Sequence, residues 1–165
     1  MINKEIEING KTLKISTGQV AKQSAGSVMV SYGETTLIVA VNAAKEMRED
    51  IDFFPLQVEY RERHYAGGKI PGGFFKREAR PSEREILTSR LTDRPIRPLF
   101  PKSFKYETQV IITVLTTDGE NPADVLAGVG ASAALMVSNI PWNGPIATVR
   151  LAKVDKDFIV NPTKE

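Results

Sequence analysis

One run of six residues limits the possible folds more than any other feature of the sequence. Residues 36–41 read Thr-Leu-Ile-Val-Ala-Val, so the run is apolar at every position after its first. A short, continuous apolar run rich in β-branched residues is typical of a strand that is covered on both faces. We therefore predict that residues 36–41 form the central strand of a β-sheet.

Weaker strand signals surround this run. Between residues 6 and 15, apolar residues alternate with polar ones on both sides of Asn9-Gly10. An Asn-Gly pair between two alternating runs indicates a hairpin with a two-residue turn. Similar runs predict further strands at residues 27–31, 35–43, 54–60 and 108–115, and a last hairpin from residues 146–154 and 158–160.

The first helix is marked by signals at both of its ends. Ser82 is followed three residues later by Glu85, which matches a capping box, where each side chain bonds the backbone N–H of the other residue. Pro95 disfavours helical geometry at the residue before it. We therefore expect this helix to begin after Ser82 and to end at about Asp93.

The second helix is predicted to begin at Asn121. Asn121 is a suitable N-cap, Pro122 suits the first helical position, and Asp124 places an acid in the first turn. The helix should end near Ser138. Its residues are small and apolar, and its internal glycines each cost about 1 kcal/mol relative to alanine. Such glycines make sense where a helix lies close to a sheet or to another subunit.

The order of these elements predicts an α+β fold, with a mostly antiparallel sheet and the helices on one face. The chain has no cysteine, which excludes disulfides and thiolate metal sites. Its first residues lack the apolar core of a signal peptide, and no apolar run approaches the roughly 20 residues of a membrane span. We therefore expect a cytoplasmic protein without a membrane partner.

Charge is distributed unevenly, although the net charge of the chain is only +2. Residues 61–105 contain 12 Lys and Arg against 5 Asp and Glu, which leaves 10 against 15 in the rest of the chain. A basic segment in an otherwise acidic chain fits a polyanionic partner. It fits a solvated surface with internal ion pairs equally well.

A glycine-rich stretch leads into the most distinctive motif of the basic segment. Residues 66–73 contain four glycines and a proline, and Phe74, Phe75, Lys76 and Arg77 follow directly. Two adjacent aromatic residues in a loop do not both face one core, so we expect at least one ring to be exposed. Exposed rings that stack on bases, beside cations that hold phosphates, are typical of single-stranded nucleic-acid binding. The alternative is that both rings close the end of the sheet and the cations are solvated.

Arginines line one side of the first predicted helix. Arg90, Arg94 and Arg97 are spaced i, i+4 and i+7, which places them on one helical face. Leu87 and Leu91 supply the apolar stripe of the same helix. Three upstream residues extend the arginine face into a candidate basic track: Arg77, Arg80 and Arg84. The alternative is a solvated face on which the arginines pair with neighbouring acidic residues.

The sequence offers no pattern for catalysis or metal binding. His64 is the only histidine, and no carboxylate pair has a spacing that would build a metal site with it. Asp50 and Asp52 precede a predicted strand, but two acidic neighbours are too weak a pattern for a catalytic pair. We expect His64 to be a surface or structural residue.

Three stretches together resemble the polynucleotide phosphorylase family. The longest, residues 67–101, contains Ile-Pro-Gly-Gly-Phe-Phe-Lys-Arg-Glu at 70–78, Arg-Pro-Ser-Glu at 80–83 and Leu-Thr-Asp-Arg-Pro-Ile-Arg-Pro-Leu-Phe-Pro at 91–101. The other two are Gly-Glu-Thr at 33–35 and Asp-Gly-Glu-Asn-Pro-Ala-Asp at 118–124. The resemblance extends over essentially the whole chain.

The resemblance implies a nucleotidyltransferase that works as a phosphorolytic 3′→5′ exoribonuclease. Inorganic phosphate, as co-substrate, attacks the 3′-terminal linkage of RNA and releases nucleoside diphosphates, with Mg²⁺ as cofactor. Each subunit of the family has two ribonuclease PH-like domains, of the ribosomal protein S5 domain 2-like fold, and three subunits form a homotrimeric ring around a channel. Partners in an RNA-degradation complex are also expected.

The same resemblance assigns roles to parts of this chain. The loop would line a constriction of the channel and hold single-stranded RNA, so the expected RNA contacts are Phe74, Phe75, Lys76, Arg77, Arg80, Arg94 and Arg97. Residues 1–145 would form the core of the first ribonuclease PH-like domain. Residues 146–165 would begin its C-terminal subdomain, which the chain leaves incomplete.

One departure from the related ribonuclease PH concerns residues 121–124. That enzyme has a glycine pair followed by Thr-Arg, which binds phosphate, whereas this chain has Asp124, which would repel phosphate. The family's phosphate site, catalytic carboxylates and Mg²⁺ site belong to the second domain. No catalytic or metal-binding residue is therefore expected here, and the chain alone should be inactive. The alternatives are a stand-alone, non-catalytic RNA-binding module and a purely structural α+β domain.

Overall fold

The computed structural model describes residues 1–47, 51–74 and 80–163. In these ranges the main strands are β1 (Ile2–Ile8), β2 (Lys11–Thr17), β3 (Gly26–Tyr32), β4 (Thr35–Ala43), β5 (Leu56–Glu62) and β6 (Thr108–Thr116). They form one sheet in the order β1-β2-β3-β4-β6-β5, in which β5 and β6 are parallel and the other neighbours antiparallel. The helices are α1 (Glu83–Ile96) and α2 (Ala123–Val137), and β7 (Leu151–Val154) and β8 (Asp157–Val160) pair as a separate hairpin.

The two strongest strand predictions are confirmed. Asn9 and Gly10 have φ angles of 51° and 72°, the left-handed pair that a type I′ turn requires between β1 and β2. The central run lies in β4, which is bonded to β3 on one side and to β6 on the other. Leu37, Val39 and Val41 of this strand are completely buried. The core therefore forms on the face of the sheet to which these three side chains point.

Both helices cover the sheet, as the predicted α+β fold requires. Helix α2 lies against β3 and β4, and α1 lies against β5. A Cβ atom added to Gly130 would stand 2.6 Å from Cγ2 of Val39 and 3.2 Å from Cδ1 of Leu37. This confirms that glycine lets α2 approach the sheet closely.

Helix α1 begins as predicted but ends later. Ser82 is the N-cap, and its capping box with Glu85 is complete. The helix continues through Pro95 to Ile96, so the predicted end at Asp93 is wrong by three residues. Proline leaves the carbonyl four residues earlier without its helical partner. Here that residue is Leu91, which is exposed, so the loss occurs on the outer side of the helix.

The predicted apolar stripe of α1 is wrong. Leu87 and Leu91 are 52% and 70% exposed, whereas the buried residues are Thr88, Thr92 and Ile96. The hydroxyl of Thr92 donates to the carbonyl of Thr88 at 3.0 Å, so threonine adds no unpaired polar group to the core. The two leucines therefore face away from the sheet.

The start of α2 also differs from the prediction. The helix begins at Ala123 after Pro122 as N-cap, and no side chain caps it. Asn121 instead bonds Asp118, which accepts the backbone N–H groups of Glu120 and Asn121 at 2.9 and 2.8 Å. Burial raises the pKa of Asp118, but hydrogen bonds from Asn121, Thr35 and Glu120 outweigh it and hold that pKa well below its usual range. The end of α2 at Val137, before Ser138, is as predicted.

The last hairpin is shorter than predicted. Its first strand begins at Leu151 rather than residue 146. The preceding residues lie against α2, where the N–H of Ile146 donates to Oγ of Ser132 at 3.0 Å and Thr148 packs over Gly128. Because α2 uses these residues, they are not available to pair as a strand. The division into a core of residues 1–145 and a subdomain from residue 146 remains a prediction.

Candidate nucleic-acid interface

A cleft with a volume of about 280 Å³ lies at the carboxyl ends of β5 and β6. The two strands are parallel and pair Glu62 with Val114, so the residues that follow each strand meet at the same edge. Crevices at the carboxyl ends of parallel strands are frequent ligand sites. The lining residues come from β5, the 3₁₀ turn after it, α1, β6, α2 and the adjoining chain: Glu62, Arg63, His64, Ala66, Gly67, Lys69, Arg84, Val114, Thr117 and Ala123.

One wall of the cleft is a rigid turn. After β5 the chain forms a 3₁₀ turn at His64–Gly67, and Ala66 is buried beneath it. The N–H of Thr117 donates to the carbonyl of Ala66 at 2.9 Å, which ties the turn to the chain just after β6. The N–H of Lys69 donates to the carbonyl of His64 at 3.0 Å and closes the turn. The backbone of this wall is therefore fixed from both sides.

The charge in the cleft is predominantly positive. Arg63, Lys69 and Arg84 line it, against the single carboxylate of Glu62. Arg84 stands in the first turn of α1, and Ala123 is the first residue of α2, so both helix N-termini point their positive ends toward the cleft. This combination favours an anionic ligand.

Asp124 already supplies an anion at the start of α2. Its Oδ2 accepts a hydrogen bond from Nη2 of Arg150 at 2.7 Å and lies 3.7 Å from Nη2 of Arg84. Arg84 is also 3.7 Å from Oε1 of Glu62, so its charge is shared between two carboxylates. The N-terminus of α2 thus has an internal carboxylate where the related phosphate site would need a cation, which argues against phosphate binding there.

Strand β5 and the cap of α1 are joined at the floor of the cleft. The buried hydroxyl of Tyr60 donates to Oε1 of Glu62 at 2.6 Å. Burial is the main cause that raises the pKa of Tyr60, and the hydrogen bond to the negatively charged Glu62 raises it further. The N–H of Glu62 donates to Oε1 of Glu85 at 2.8 Å. Burial raises the pKa of Glu85, but hydrogen bonds from Ser82 and Glu62 outweigh it and hold that pKa below its usual value.

The glycine-rich loop leaves the cleft at Lys69 and reaches Phe74. Ile70 is 92% exposed and Phe74 is 83% exposed. The prediction that at least one ring of the Phe-Phe pair is exposed is therefore confirmed by Phe74. Three residues of the predicted RNA-binding motif lie outside the described residues: Phe75, Lys76 and Arg77. The RNA contact itself remains a prediction.

The predicted arginine track divides into two parts. Arg80, Arg90 and Arg94 are exposed, as an RNA contact requires. Arg97 instead donates to both oxygens of Asp93, at 2.9 and 2.7 Å, and to the carbonyls of Phe54 and Leu56, at 2.9 and 3.0 Å. Its guanidinium thus holds the end of α1 to the start of β5.

Arg97 therefore has a structural role that its spacing does not predict. Four of its five guanidinium N–H groups bond to other residues of the fold, and its Cζ lies 5.9 Å from the ring centroid of Phe54. Helix α1 continues past Pro95 into a 3₁₀ turn at Arg97–Leu99, which places Arg97 beside β5. Its side chain is still 40% exposed, so the RNA contacts of Arg80, Arg94 and Arg97 all remain predictions.

With this geometry established, comparison with known proteins identifies the family. The sequence matches the model of the "3' exoribonuclease family, domain 1" over residues 9–141. The chain belongs to this family. It is 58% identical over 160 residues to the polyribonucleotide nucleotidyltransferase of Thermomicrobium roseum, and 56% identical over 161 residues to that of Geotalea uraniireducens. These alignments cover 97% and 98% of the chain, which confirms the predicted resemblance.

The chain spans only about a fifth of the relatives it matches, 20% and 23% of their lengths. Among solved structures, the chain is similar to a subunit of the archaeal exosome core, with a TM-score of 0.63, and to one of the Archaeoglobus fulgidus exosome with RNA bound to the active site, with a TM-score of 0.65. Both cover 98% of this chain, and 65% and 68% of the solved chains, at 19% identity. They confirm the ribonuclease PH-like fold of this exoribonuclease family member.

The cleft beside the loop was not predicted from the sequence. His64 lines it and is exposed, as predicted for a surface residue; Lys69 also lines it, and Tyr65 is the exposed residue next to His64. The available signal was local: an aromatic residue beside the only histidine, directly before a glycine-rich basic stretch. The partners from β6 and α2 are about fifty residues away in the sequence, so no local pattern connects them.

Mg²⁺ requires several oxygen ligands, usually including carboxylates. Within residues 1–47, 51–74 and 80–163, no group of three or more His, Asp or Glu side chains stands close enough to hold a metal ion. Asp50 lies outside these ranges. The donor set of the described residues does not fit Mg²⁺, so we derive no catalytic step through it. No helix in the same ranges is long and apolar enough to cross a membrane.

Proposed function

We propose that this chain works as the RNA-guiding part of a phosphorolytic 3′→5′ exoribonuclease. In the whole protein, inorganic phosphate attacks the 3′-terminal linkage of RNA, and a nucleoside diphosphate leaves. The observation that carries the proposal is the 56–58% identity to polyribonucleotide nucleotidyltransferases over nearly the whole chain.

The exposed loop supports the guiding role. Phe74 presents its ring to solvent at the end of a glycine-rich stretch, and Phe75, Lys76 and Arg77 follow it in the sequence. Every base has a π-face for phenylalanine, and every linkage has a phosphate for lysine or arginine. The loop therefore grips single-stranded RNA without reading base edges, while Arg80 and Arg94 add phosphate contacts.

The remaining parts of the reaction are assigned to other segments of the whole protein. Asp124, paired with Arg150, occupies the helix N-terminus where the related phosphate site would lie. We therefore place phosphate, Mg²⁺ and the catalytic carboxylates in a second ribonuclease PH-like domain. The whole protein is proposed to be a cytoplasmic homotrimer in which this domain forms part of the ring, with partners in RNA degradation.

The experiment compares RNA length dependence in the full-length protein. The double variant Phe74→Ala/Phe75→Ala should weaken binding of a 20-nucleotide RNA by roughly tenfold or more, because each stacked base contributes about 1–3 kcal/mol. Phosphorolysis of a dinucleotide, which is too short to reach the loop, should be nearly unchanged. Phe53→Ala is the matched control, since Phe53 is also exposed but precedes β5 at the opposite end of that strand.

Equal losses on long and short RNA would show that the loop supports the fold or the active site, and the guiding role would be wrong. The 165-residue chain alone should release no nucleoside diphosphate from RNA in phosphate and Mg²⁺. Release by the purified chain would overturn the assignment of the reaction to another domain.

A further inference from the structure

We propose that Tyr65 and Lys69 form a second RNA contact next to the Phe-Phe loop. The ring of Tyr65 stacks on one base, and Lys69 holds an adjoining phosphate of the same strand. The inference rests on the proposed RNA-degrading function and extends it to two residues outside the loop motif.

The backbone around both residues is fixed, which suits a binding site. The carbonyl of Tyr65 accepts the N–H of Gly68 at 3.0 Å, and Gly68 has the left-handed φ of 67° that lets the chain reverse there. The bond from Lys69 N–H to the carbonyl of His64 places Lys69 beside the start of the same turn. Residues held by such bonds lose little further freedom when a ligand binds.

The side chain of Tyr65 is not used by the core. Tyr65 is 58% exposed, although the next residue, Ala66, is buried against the end of β6. The turn is thus anchored by alanine, while the tyrosine ring is left in solvent on a rigid support. An exposed ring on a rigid support offers a stacking surface for a base at low entropic cost.

Among the described residues that line the cleft, Lys69 is a cation whose charge is not balanced by a neighbouring carboxylate. Arg84 is 3.7 Å from carboxylate oxygens of both Glu62 and Asp124, so its charge is already balanced. Lys69 is exposed and forms no ion pair with any residue of the described ranges. Lys69 is therefore the residue to which we assign the phosphate.

The position of the cleft beside the loop favours a strand of RNA as its ligand. Its volume of about 280 Å³ lies at the lower end of the roughly 300–1,000 Å³ of small-ligand pockets, which suits a single nucleotide unit. Gly67 and Lys69 line it and also begin the loop that leads to Phe74. We therefore place one nucleotide of a strand held at Phe74 in the cleft beside Lys69, and its neighbouring base on the exposed ring of Tyr65, which belongs to the same turn but is not part of the cleft lining.

The test measures binding of a fluorescent 20-nucleotide oligoadenylate to the full-length protein, without phosphate and Mg²⁺ so that no cleavage occurs. Tyr65→Ala should raise Kd roughly 5- to 150-fold, the range expected for loss of one stacked base, and Tyr65→Phe should stay within about twofold of the parent. Lys69→Ala should lower the slope of log Kd against log salt by about 0.7, and Lys69→Gln should do the same. Phe53→Ala, an exposed ring away from the cleft, should change neither quantity.

Each other result overturns the proposal. A Kd for Tyr65→Ala within about twofold of the parent would exclude stacking, and an equal loss in Tyr65→Phe would assign the effect to the hydroxyl. A lower Tm or loss of the oligomer in Tyr65→Ala, with unchanged RNA affinity, would show that another protein surface covers the ring. If Phe74→Ala/Phe75→Ala weakens RNA binding and Tyr65→Ala does not, the inference fails while the proposed function stands.

Discussion

The two helices of the domain both pack against the sheet, but they bury very different fractions of their residues. Helix α2 buries ten of its fifteen residues and uses Gly130 to approach the sheet. Helix α1 buries only Thr88, Thr92 and Ile96, and it exposes Leu87 and Leu91. Helix α1 therefore exposes three of its four larger apolar side chains, those of Ile86, Leu87 and Leu91, and buries only that of Ile96.

Helix α2 therefore serves mainly to stabilise the core, whereas α1 also has a large solvent-exposed face. The outer side of α1 combines exposed leucines with Arg90 and Arg94, whereas the first turn of α2 contains Asp124, whose charge is met by Arg150. The two helices thus differ in how many of their residues are buried, and this difference does not follow from their apolar content alone. Four predictions test this contrast, each by urea unfolding of the chain unless stated otherwise.

The largest effect should come from the buried face of α1. Ile96→Ala should lower the free energy of unfolding by about 2–5 kcal/mol, because Ile96 is completely buried. Leu91→Ala should change it by less than about 0.5 kcal/mol, because Leu91 is exposed. Fluorescence of Trp142, the only tryptophan, reports the transition directly, since its Nε1 donates to the carbonyl of Ile96 at 2.9 Å. Similar costs for both variants would show that Leu91 is covered.

The close approach of α2 should give the next largest effect. Gly130→Ala gains about 1 kcal/mol of helix propensity but places a methyl group 2.6 Å from Val39, and overpacking costs about 1–3 kcal/mol. We expect the overpacking to win, because Val39 is a β-branched residue of a buried strand and has little freedom to move. Gly72→Ala is the control, since a Cβ there meets no atom within 4 Å. A Gly130→Ala chain more stable than the parent would contradict the close packing.

Substitution of the two arginines near the end of α1 should have different effects, on stability for Arg97 and on RNA binding for Arg94. Arg97→Ala should lower the free energy of unfolding by about 1–2 kcal/mol, since it leaves two carbonyls and Asp93 without their charged partner. Arg94→Ala should leave stability within about 0.5 kcal/mol. In the full-length protein, Arg94→Ala should instead reduce the salt dependence of RNA binding, with a change in slope of about 0.7. The reverse pattern would assign the RNA contact to Arg97 and the structural role to Arg94.

The smallest effect should come from the cap of α1. The pKa of Glu85 is lowered from its ordinary 4.5, so its charged form stabilises the fold above that pH, and this stabilisation is lost as the pH falls through the lowered pKa. Glu85→Gln, which keeps a capping amide, should cost about 0.5 kcal/mol at pH 7. The gap between parent and variant should narrow as the pH falls below 4.5 and through the lowered pKa of Glu85. A gap that stays constant down to pH 3 would exclude ionisation of Glu85 as its cause.

The reliable sequence predictions were those in which a local signal and the fold require the same residue. Asn9-Gly10 permits the left-handed turn that the hairpin needs. Within residues 36–41, Leu37, Val39 and Val41 are apolar because the helices cover that face of the sheet. The internal glycines of α2 were correctly interpreted for the same reason. The two helices were also placed correctly, apart from their ends.

The errors occur where distant residues decide the outcome. Leu87 and Leu91 have the spacing of a buried stripe, but they are exposed. The residues of α1 that are buried, on the helix that packs against β5, are Thr88, Thr92 and Ile96. The structural role of Arg97 was not predicted either, because the carbonyls that bind its guanidinium lie more than forty residues earlier in the sequence. The cleft was not predicted because its walls meet only when Glu62 pairs with Val114. In each case the decisive contact depends on the order of strands in the sheet.

That strand order also explains why the domain has room for a site here. Antiparallel neighbours such as β1 and β2 are joined by a turn of two residues. Parallel strands need a longer crossover connection, and the one between β5 and β6 contains the glycine-rich loop and α1. Each doubling of the length of a flexible loop costs only about 0.6 kcal/mol of closure entropy. We therefore expect the crossover between the fixed turn at His64–Gly67 and α1 to tolerate changes in length without a change in the register of the sheet, so that the grip on a ligand can be altered there independently of the fold.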